Sequence, residues 1–199
     1  MTTLILWRHA PTGYNLEQRL QGSLDIPLVP HGRAAARAAA ERIGALYGPI
    51  AAVVSSPLTR AKQSAVELGA VARVDVVEQP GLTQRPYGEW EGLTWNEIQQ
   101  RWPQEYDRRM QGLDPRIEGW GESAQVAERV GAALRSIALS GQTVVAVSHG
   151  SALTLGVADL VGMGPSAVTL GHLPHAAWNV LRQGSQGDWR IDGYALQAD

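Results

Sequence analysis

Leu4-Ile5-Leu6-Trp7-Arg8-His9-Ala10-Pro11-Thr12-Gly13 runs from unbroken apolar side chains into a cation, an imidazole and a turn. Four apolar residues without alternation describe a strand covered on both faces, the condition of a parallel sheet between helix layers. In such sheets ligands sit beyond the carboxyl ends of the strands, so Arg8 and His9 emerge where chemistry is done.

The same pattern recurs along the chain. Residues 50–54 form a β-branched run that stops at Ser55-Ser56-Pro57, and 58–71 reads as a helix with Ser56 as N-cap and Pro57 at its first position. Residues 143–147 form another apolar strand, which ends in Ser148-His149-Gly150 and feeds a helix over 152–161. Helices are also predicted over 31–46, entered at Pro30 and ended near Gly48, and over 122–140, where Val126, Val130, Leu134 and Ile137 share one face before Gly141. Residues 73–77 read as a strand, and 177–181 and 189–194 as closing strands joined by a turn-rich 184–188. The segment 93–121, interrupted by Pro103 and Pro115, is expected to be an irregular helical cap. Alternating strands and helices predict an α/β fold: a three-layer α/β/α domain over 1–199 with a mainly parallel central sheet.

Composition narrows the function classes. The chain of 199 residues is 44% hydrophobic and contains no cysteine, which removes disulfides, thiolate metal sites and cysteine nucleophiles. A formal charge of -2 supplies no positive field for nucleic acid or an anionic membrane, and no apolar stretch reaches spanning length. The expectation is a cytoplasmic protein with a small-molecule partner; a homodimer stays open. Lys62 is the only lysine and no glycine-rich segment precedes it, so a Walker A nucleotide site is excluded.

Arg8-His9, Ser55-Ser56 with Arg60, and Ser148-His149 stand at three strand ends that can converge. Singly, each histidine reads as well as a loop residue and each arginine as a solvated charge. Two histidines and two arginines meeting on one edge describe a phosphate pocket, with guanidiniums on the oxygens and an imidazole facing phosphorus. Arg60 lies in the first turn of its helix, where a bound anion would also meet free N–H groups.

These residues resemble the histidine phosphatase superfamily, the phosphoglycerate mutase-like proteins. Arg8-His9-Ala10-Pro11-Thr12 with Asn15 is similar to the family's Arg-His-Gly-x-Thr signature, with alanine for glycine. The likeness continues in order through Arg19-Leu20-Gln21-Gly22, Asp25-Ile26-Pro27-Leu28, Ser55-Ser56-Pro57-Leu58-Thr59-Arg60-Ala61, Gly88-Glu89-Trp90-Glu91-Gly92, Gly121-Glu122-Ser123 and Ser148-His149-Gly150. It implies a phosphatase acting on a small phosphorylated metabolite through a phosphohistidine on His9. Arg8, Arg60 and a protonated His149 would complete the phosphate pocket, with no metal or other cofactor. By position it makes Asn15, Arg19, Gln21, Gly22 and Tyr87 substrate-binding residues. The short 92–121 segment favours a phosphatase over a phosphoglycerate mutase, although Arg108-Arg109 keep the mutase in view.

Two positions depart from the pattern. Gln84 occupies the place of a glutamate that protonates the leaving oxygen, and an amide cannot do this; general acid–base help is worth about 10² to 10⁴ in rate. Either Glu89, Glu91 or Glu122 takes over, or the substrate has a good leaving group, or the chain is a phospholigand-binding pseudoenzyme, or the near-isosteric amide is an introduced exchange. His175, in a loop that carries a small polar segment in relatives, is a second candidate for proton transfer, against the plain reading of a hydrated loop histidine. His31 and His172 match no site position.

Overall fold

The computed structural model of the chain describes residues 1–164 and 170–198. In chain order it contains β1 (Thr3–Arg8), α1 (Gly13–Leu16), α2 (Pro30–Tyr47), β2 (Ala52–Ser55), α3 (Thr59–Ala72), β3 (Val76–Glu78), α4 (Trp95–Arg101), α5 (Pro103–Met110), α6 (Ser123–Ile137), β4 (Thr143–Ser148), α7 (Gly150–Leu160), β5 (Trp178–Gln183) and β6 (Trp189–Leu196). The sheet order is β3-β2-β4-β1-β5-β6. β3, β2, β4 and β1 pair in parallel, while β5 and β6 close the sheet antiparallel, joined as a hairpin.

The apolar runs serve two cores at once. On β1, Ile5 and Trp7 face α2 and α3, together with Val145 and Val147 of β4. Leu4 and Leu6 face the opposite layer, where Val126, Val130 and Leu134 of α6 and Leu153 and Val157 of α7 meet Val144 and Ala146. With successive side chains on opposite faces, both faces are covered only if nearly every strand position is apolar, as the sequence is. A third cluster lies in the 93–121 segment and its surroundings, where Trp90 and Ile98 pack with Tyr87, Trp102, Tyr106 and Trp120.

Two local expectations are corrected. α3 starts at Thr59 with Leu58 as N-cap, not at Ser56-Pro57. Its end is satisfied from a distance: the Asp25 carboxylate accepts from Thr59 N–H and Oγ1, both at 2.7 Å. A side chain 34 residues away displaced the local serine, which only tertiary packing can arrange. The 13–16 segment, read as loop, is one helical turn closed by a capping box. There Thr12 caps Asn15, and Asn15 Oδ1 accepts from Thr12 N–H at 3.0 Å.

Candidate active site

Strand register makes neighbours of residues far apart in sequence. Arg8 is opposite Ser148 and Ser55 opposite Val147, so the residues that follow leave the sheet side by side. The backbone continues the ladder by one step, from His9 N–H to Ser148 carbonyl and from Ser56 N–H to Val147 carbonyl, both 2.9 Å. The His9 and His149 rings consequently meet edge to face at 5.1 Å between centroids, both buried.

Hydrogen bonds assign the ring protons. His9 Nδ1 lies 2.7 Å from the Ala10 carbonyl, which only accepts, so Nδ1 holds the proton and Nε2 keeps its lone pair. His149 Nδ1 accepts from Arg60 Nε at 3.2 Å, and its Nε2–H therefore donates to Ser56 Oγ at 2.8 Å. Burial holds both imidazoles well below the usual histidine range, reinforced at His9 by His149 and then Arg60 and Arg8, and at His149 by Arg60 and Arg8. His149 is thus neutral, which corrects the expectation of a protonated ring.

The two arginines are buried and held by neutral acceptors. Arg60 donates through Nη1 to Leu24 carbonyl at 2.7 Å and through Nη2 to Gly22 carbonyl at 2.8 Å. Arg8 Nη1 donates to Leu173 carbonyl and, at 2.9 Å, to His172 Nε2; Nη2 donates to His175 Nε2 at 2.6 Å. Burial brings each guanidinium down to about 10, so both stay charged at neutral pH. Arg8 Nε is a buried donor without a partner among the described residues. The expectation that a ligand anion meets the start of α3 is corrected as well. Asp25 already takes Thr59 N–H there, and Arg60 points inward to His149.

His175, offered for proton transfer, accepts from Arg8 instead, and so does His172. Burial and the Arg8 charge push His175 down to about 3 and lower His172. His172, given no role from sequence, thus holds one arm of the arginine. No local pattern signals this, because its partner lies 164 residues away.

A cavity of about 580 Å³ opens over these strand ends. Arg8, Asn15, Arg19, Gln84 and Tyr87 line it, while Gln21 and Gly22 lie buried beside it. Asn15 Oδ1 is used by Thr12, which leaves its amide nitrogen as a donor. Arg19 ties its loop to α4 through Gly92 carbonyl at 2.8 Å and Glu97 at 3.1 Å. Tyr87 shares a 2.7 Å hydrogen bond with Ser151 Oγ. Gly22 has φ +52, and a Cβ there would fall 2.0 Å from Glu91 Oε1, so glycine is required.

Sequence reasoning passed over one lining cation, Arg85, and named another, Arg109, only as a sign of a mutase. Arg85 is fully buried, paired to Asp114 at 2.8 Å, bonded to Gly121 carbonyl at 2.7 Å and stacked 4.7 Å from the Trp120 ring centroid. The signal was available: an arginine beside the Gln84 position with an acid and an aromatic in the following segment.

The Gln84 amide is oriented without ambiguity. Its Oε1 accepts from Arg85 N–H at 3.0 Å and Ala152 N–H at 3.3 Å, which fixes oxygen on that side and the –NH₂ on the other. None of the carboxylates offered as substitutes lines the cavity among the described residues. Glu91 Oε1 accepts from Ser23 N–H at 2.7 Å and Tyr87 N–H at 3.0 Å, a brace between two loops. Glu89 and Glu122 are exposed.

Arg8, Arg19, Arg85 and Arg109 line the cavity, and His9, His149 and Arg60 lie buried next to its Arg8 and Gly150 wall. The histidine phosphatase superfamily (branch 1) matches residues 4–197, and the chain belongs to that family. A metal-independent phosphoserine phosphatase of Arabidopsis thaliana is 34% identical, over 98% of this chain and 82% of that protein. Among solved structures, a mycobacterial glucosyl-3-phosphoglycerate phosphatase superposes with a TM-score of 0.89 at 30% identity, covering 99% of this chain and 100% of that one. A phosphoserine phosphatase of Entamoeba histolytica, bound to 3-phosphoglyceric acid, reaches 0.85 at 26% identity, covering 98% and 96%. The relatives are thus phosphatases of small phosphorylated metabolites, on the same three-layer fold.

Proposed function

We propose that this protein is a phosphatase of a small anionic phosphorylated metabolite, acting through a phosphohistidine on His9. The observation that carries the reading is the bond from His9 Nδ1–H to the Ala10 carbonyl, which leaves Nε2 as a nucleophile in a ring that burial keeps neutral. Nε2 attacks phosphorus while Arg8 and Arg60 neutralise the phosphoryl oxygens, work that needs positioning and charge more than covalent chemistry. Arg8 Nε, a buried donor without a protein partner among the described residues, suits one of those oxygens. His149 orients Arg60 from its Nδ1 and comes within reach of the His9 ring.

The cavity favours a substrate with a second negative group. Arg19, Arg85 and Arg109 line it beyond Arg8, and no aspartate or glutamate does among the described residues. The relatives named for phosphoserine and glucosyl-3-phosphoglycerate act on carboxylated phosphates, in line with this charge. Asn15, Gln21 and Tyr87 are assigned to substrate binding on the same grounds, as are Arg19 and the Gly22 loop. No metal is assigned a role.

The test is to incubate the protein with p-nitrophenyl phosphate and with phosphoserine, sugar and glycerate phosphates, and to trap acid-labile phosphate. Turnover with phosphate on His9 is expected, and His9→Ala should lower the rate by about 10³-fold or more. A phospholigand-binding protein, the reading that Gln84 favours, would bind phosphate esters with no phosphohistidine and no turnover.

A further inference from the structure

The amide of Gln84 sits in a place built for a group that accepts on one side. A carboxylic acid there would accept the same two N–H bonds, from Arg85 and Ala152, with one oxygen and hold a proton on the other. Gln84 does the first and replaces the second by an amide N–H. Such a group stabilises an oxyanion by donating a hydrogen bond, yet it does not release its proton to an alkoxide.

No carboxylate or free imidazole N–H supplies that proton among the described residues, and the Tyr87 phenol on the cavity wall shares its hydrogen bond with Ser151 Oγ. No carboxylate lines the cavity among the described residues. His9 and His149 are neutral rings with their N–H bonds directed to Ala10 carbonyl and Ser56 Oγ. His172 and His175 present lone pairs to Arg8. What the cavity supplies in quantity is positive charge for a departing anion. Arg109 makes no ion pair among the described residues and lies 5.9 Å from the Trp120 ring centroid, beside Arg85.

We propose that the substrate carries its phosphoryl group on an acidic oxygen, as acyl phosphates and phosphoanhydrides do, so that the leaving group departs as a stable anion without a proton. This rests on the phosphohistidine reading above. His9 Nε2 forms the bond to phosphorus, the bond from phosphorus to the leaving oxygen breaks, and the electron pair goes with that oxygen as a carboxylate or phosphate. Gln84 Nε2–H and the arginines hold the new anion. Water then attacks the phosphohistidine, the P–N bond breaks, and its electron pair returns to Nε2. The water proton passes to a phosphate oxygen or to solvent. An imidazole is itself a good leaving group, so this second step also proceeds without a carboxylate base.

The experiment is a leaving-group series on the wild-type protein: acetyl phosphate, tripolyphosphate, 2,4-dinitrophenyl phosphate, p-nitrophenyl phosphate and the alkyl esters phosphoserine and β-glycerophosphate. kcat/KM is expected to fall steeply with leaving-group basicity, alkyl esters lying about 10³-fold or more below the activated ones; acetyl phosphate and tripolyphosphate separate the acyl and anhydride sources. Gln84→Glu should raise the alkyl esters by about 10² to 10⁴ and the dinitrophenyl ester by less than about tenfold. Tyr87→Phe, at a position assigned to substrate binding, should lower kcat/KM for all the esters alike and so leave the slope as it is. Alkyl and activated esters turned over within about tenfold of each other would overturn the inference alone, as would a steeper slope in Tyr87→Phe, which makes the phenol the acid. Absence of phosphohistidine with every donor overturns the phosphatase reading and this inference with it.

Discussion

At the scale of single residues, the site works by neutral acceptors placed against buried cations. His149 accepts from Arg60, and His172 and His175 accept from Arg8, so among the described residues no carboxylate is hydrogen-bonded to either guanidinium, and Asp25 and Glu91 act on Arg60 through charge alone. A carboxylate there would cancel the attraction for phosphate; an imidazole lone pair does not. Since kcat/KM reports groups of the free enzyme, and burial holds His9 and His149 well below 6.5, the profile should be level from pH 8 to about pH 5.5. It is read after correction for the substrate's own phosphate ionisation, and an inflection near 6.5 would contradict the neutral pair. How His9 is used was half legible in sequence: its place at a strand end was visible. The bond to Ala10 carbonyl that selects Nε2 depends on backbone geometry after β1, which periodicity does not encode.

At the scale of elements, loops after β1 and before α4 are braced by Glu91, and Gly22 is shaped to let that carboxylate in. With φ +52 and a Cβ 2.0 Å from Glu91 Oε1, Gly22→Ala is expected to destabilise by about 2 kcal/mol or more, from backbone strain and the broken brace. It also moves the carbonyl that holds Arg60, so phosphate affinity should fall together with Tm. A Gly22→Ala, Glu91→Ala double variant losing less than the sum of the two singles, by urea unfolding, identifies the clash as the cause. The ordered Gly88-Glu89-Trp90-Glu91-Gly92 segment was recognisable, but it pointed to Glu91 as a substitute acid. Only the fold shows the carboxylate turned toward Ser23 and Tyr87 backbone. α3 teaches the same lesson, since Asp25 caps it from another loop and releases Ser56 to His149.

At the scale of the whole molecule, four histidines with lowered values and a buried arginine tie stability to pH and to the 93–121 segment. His9, His149, His172 and His175 all have folded-state values below 6.5, so the unfolded chain binds more protons as pH falls. Their contribution is complete above about 6.5 and is lost as pH drops through the folded values, about 3 for His175. Tm should therefore decline from pH 6.5 toward pH 4, and less steeply in His175→Asn. Asp114→Ala should cost about 3 kcal/mol, read as a shift in urea midpoint at constant m, because Arg85 would be left 1% exposed without its ion pair. By itself, the sequence determined the layers and the sheet's mainly parallel character, since runs such as Leu4–Trp7 and Val144–Val147 are apolar at every position only when both faces are covered. It also determined that His9 and His149 stand at strand ends, because apolar runs stop there, and that Arg60 opens the helix after one. Tertiary structure alone decided which ring atom is free, which histidines hold Arg8 and which carboxylates are used as braces. The Arg8 and Glu91 choices rest on hydrogen bonds between residues dozens to more than 160 positions apart, and the His9 choice on the backbone geometry that turns the Ala10 carbonyl to its ring; such bonds have directions that a one-dimensional pattern of residue types does not carry.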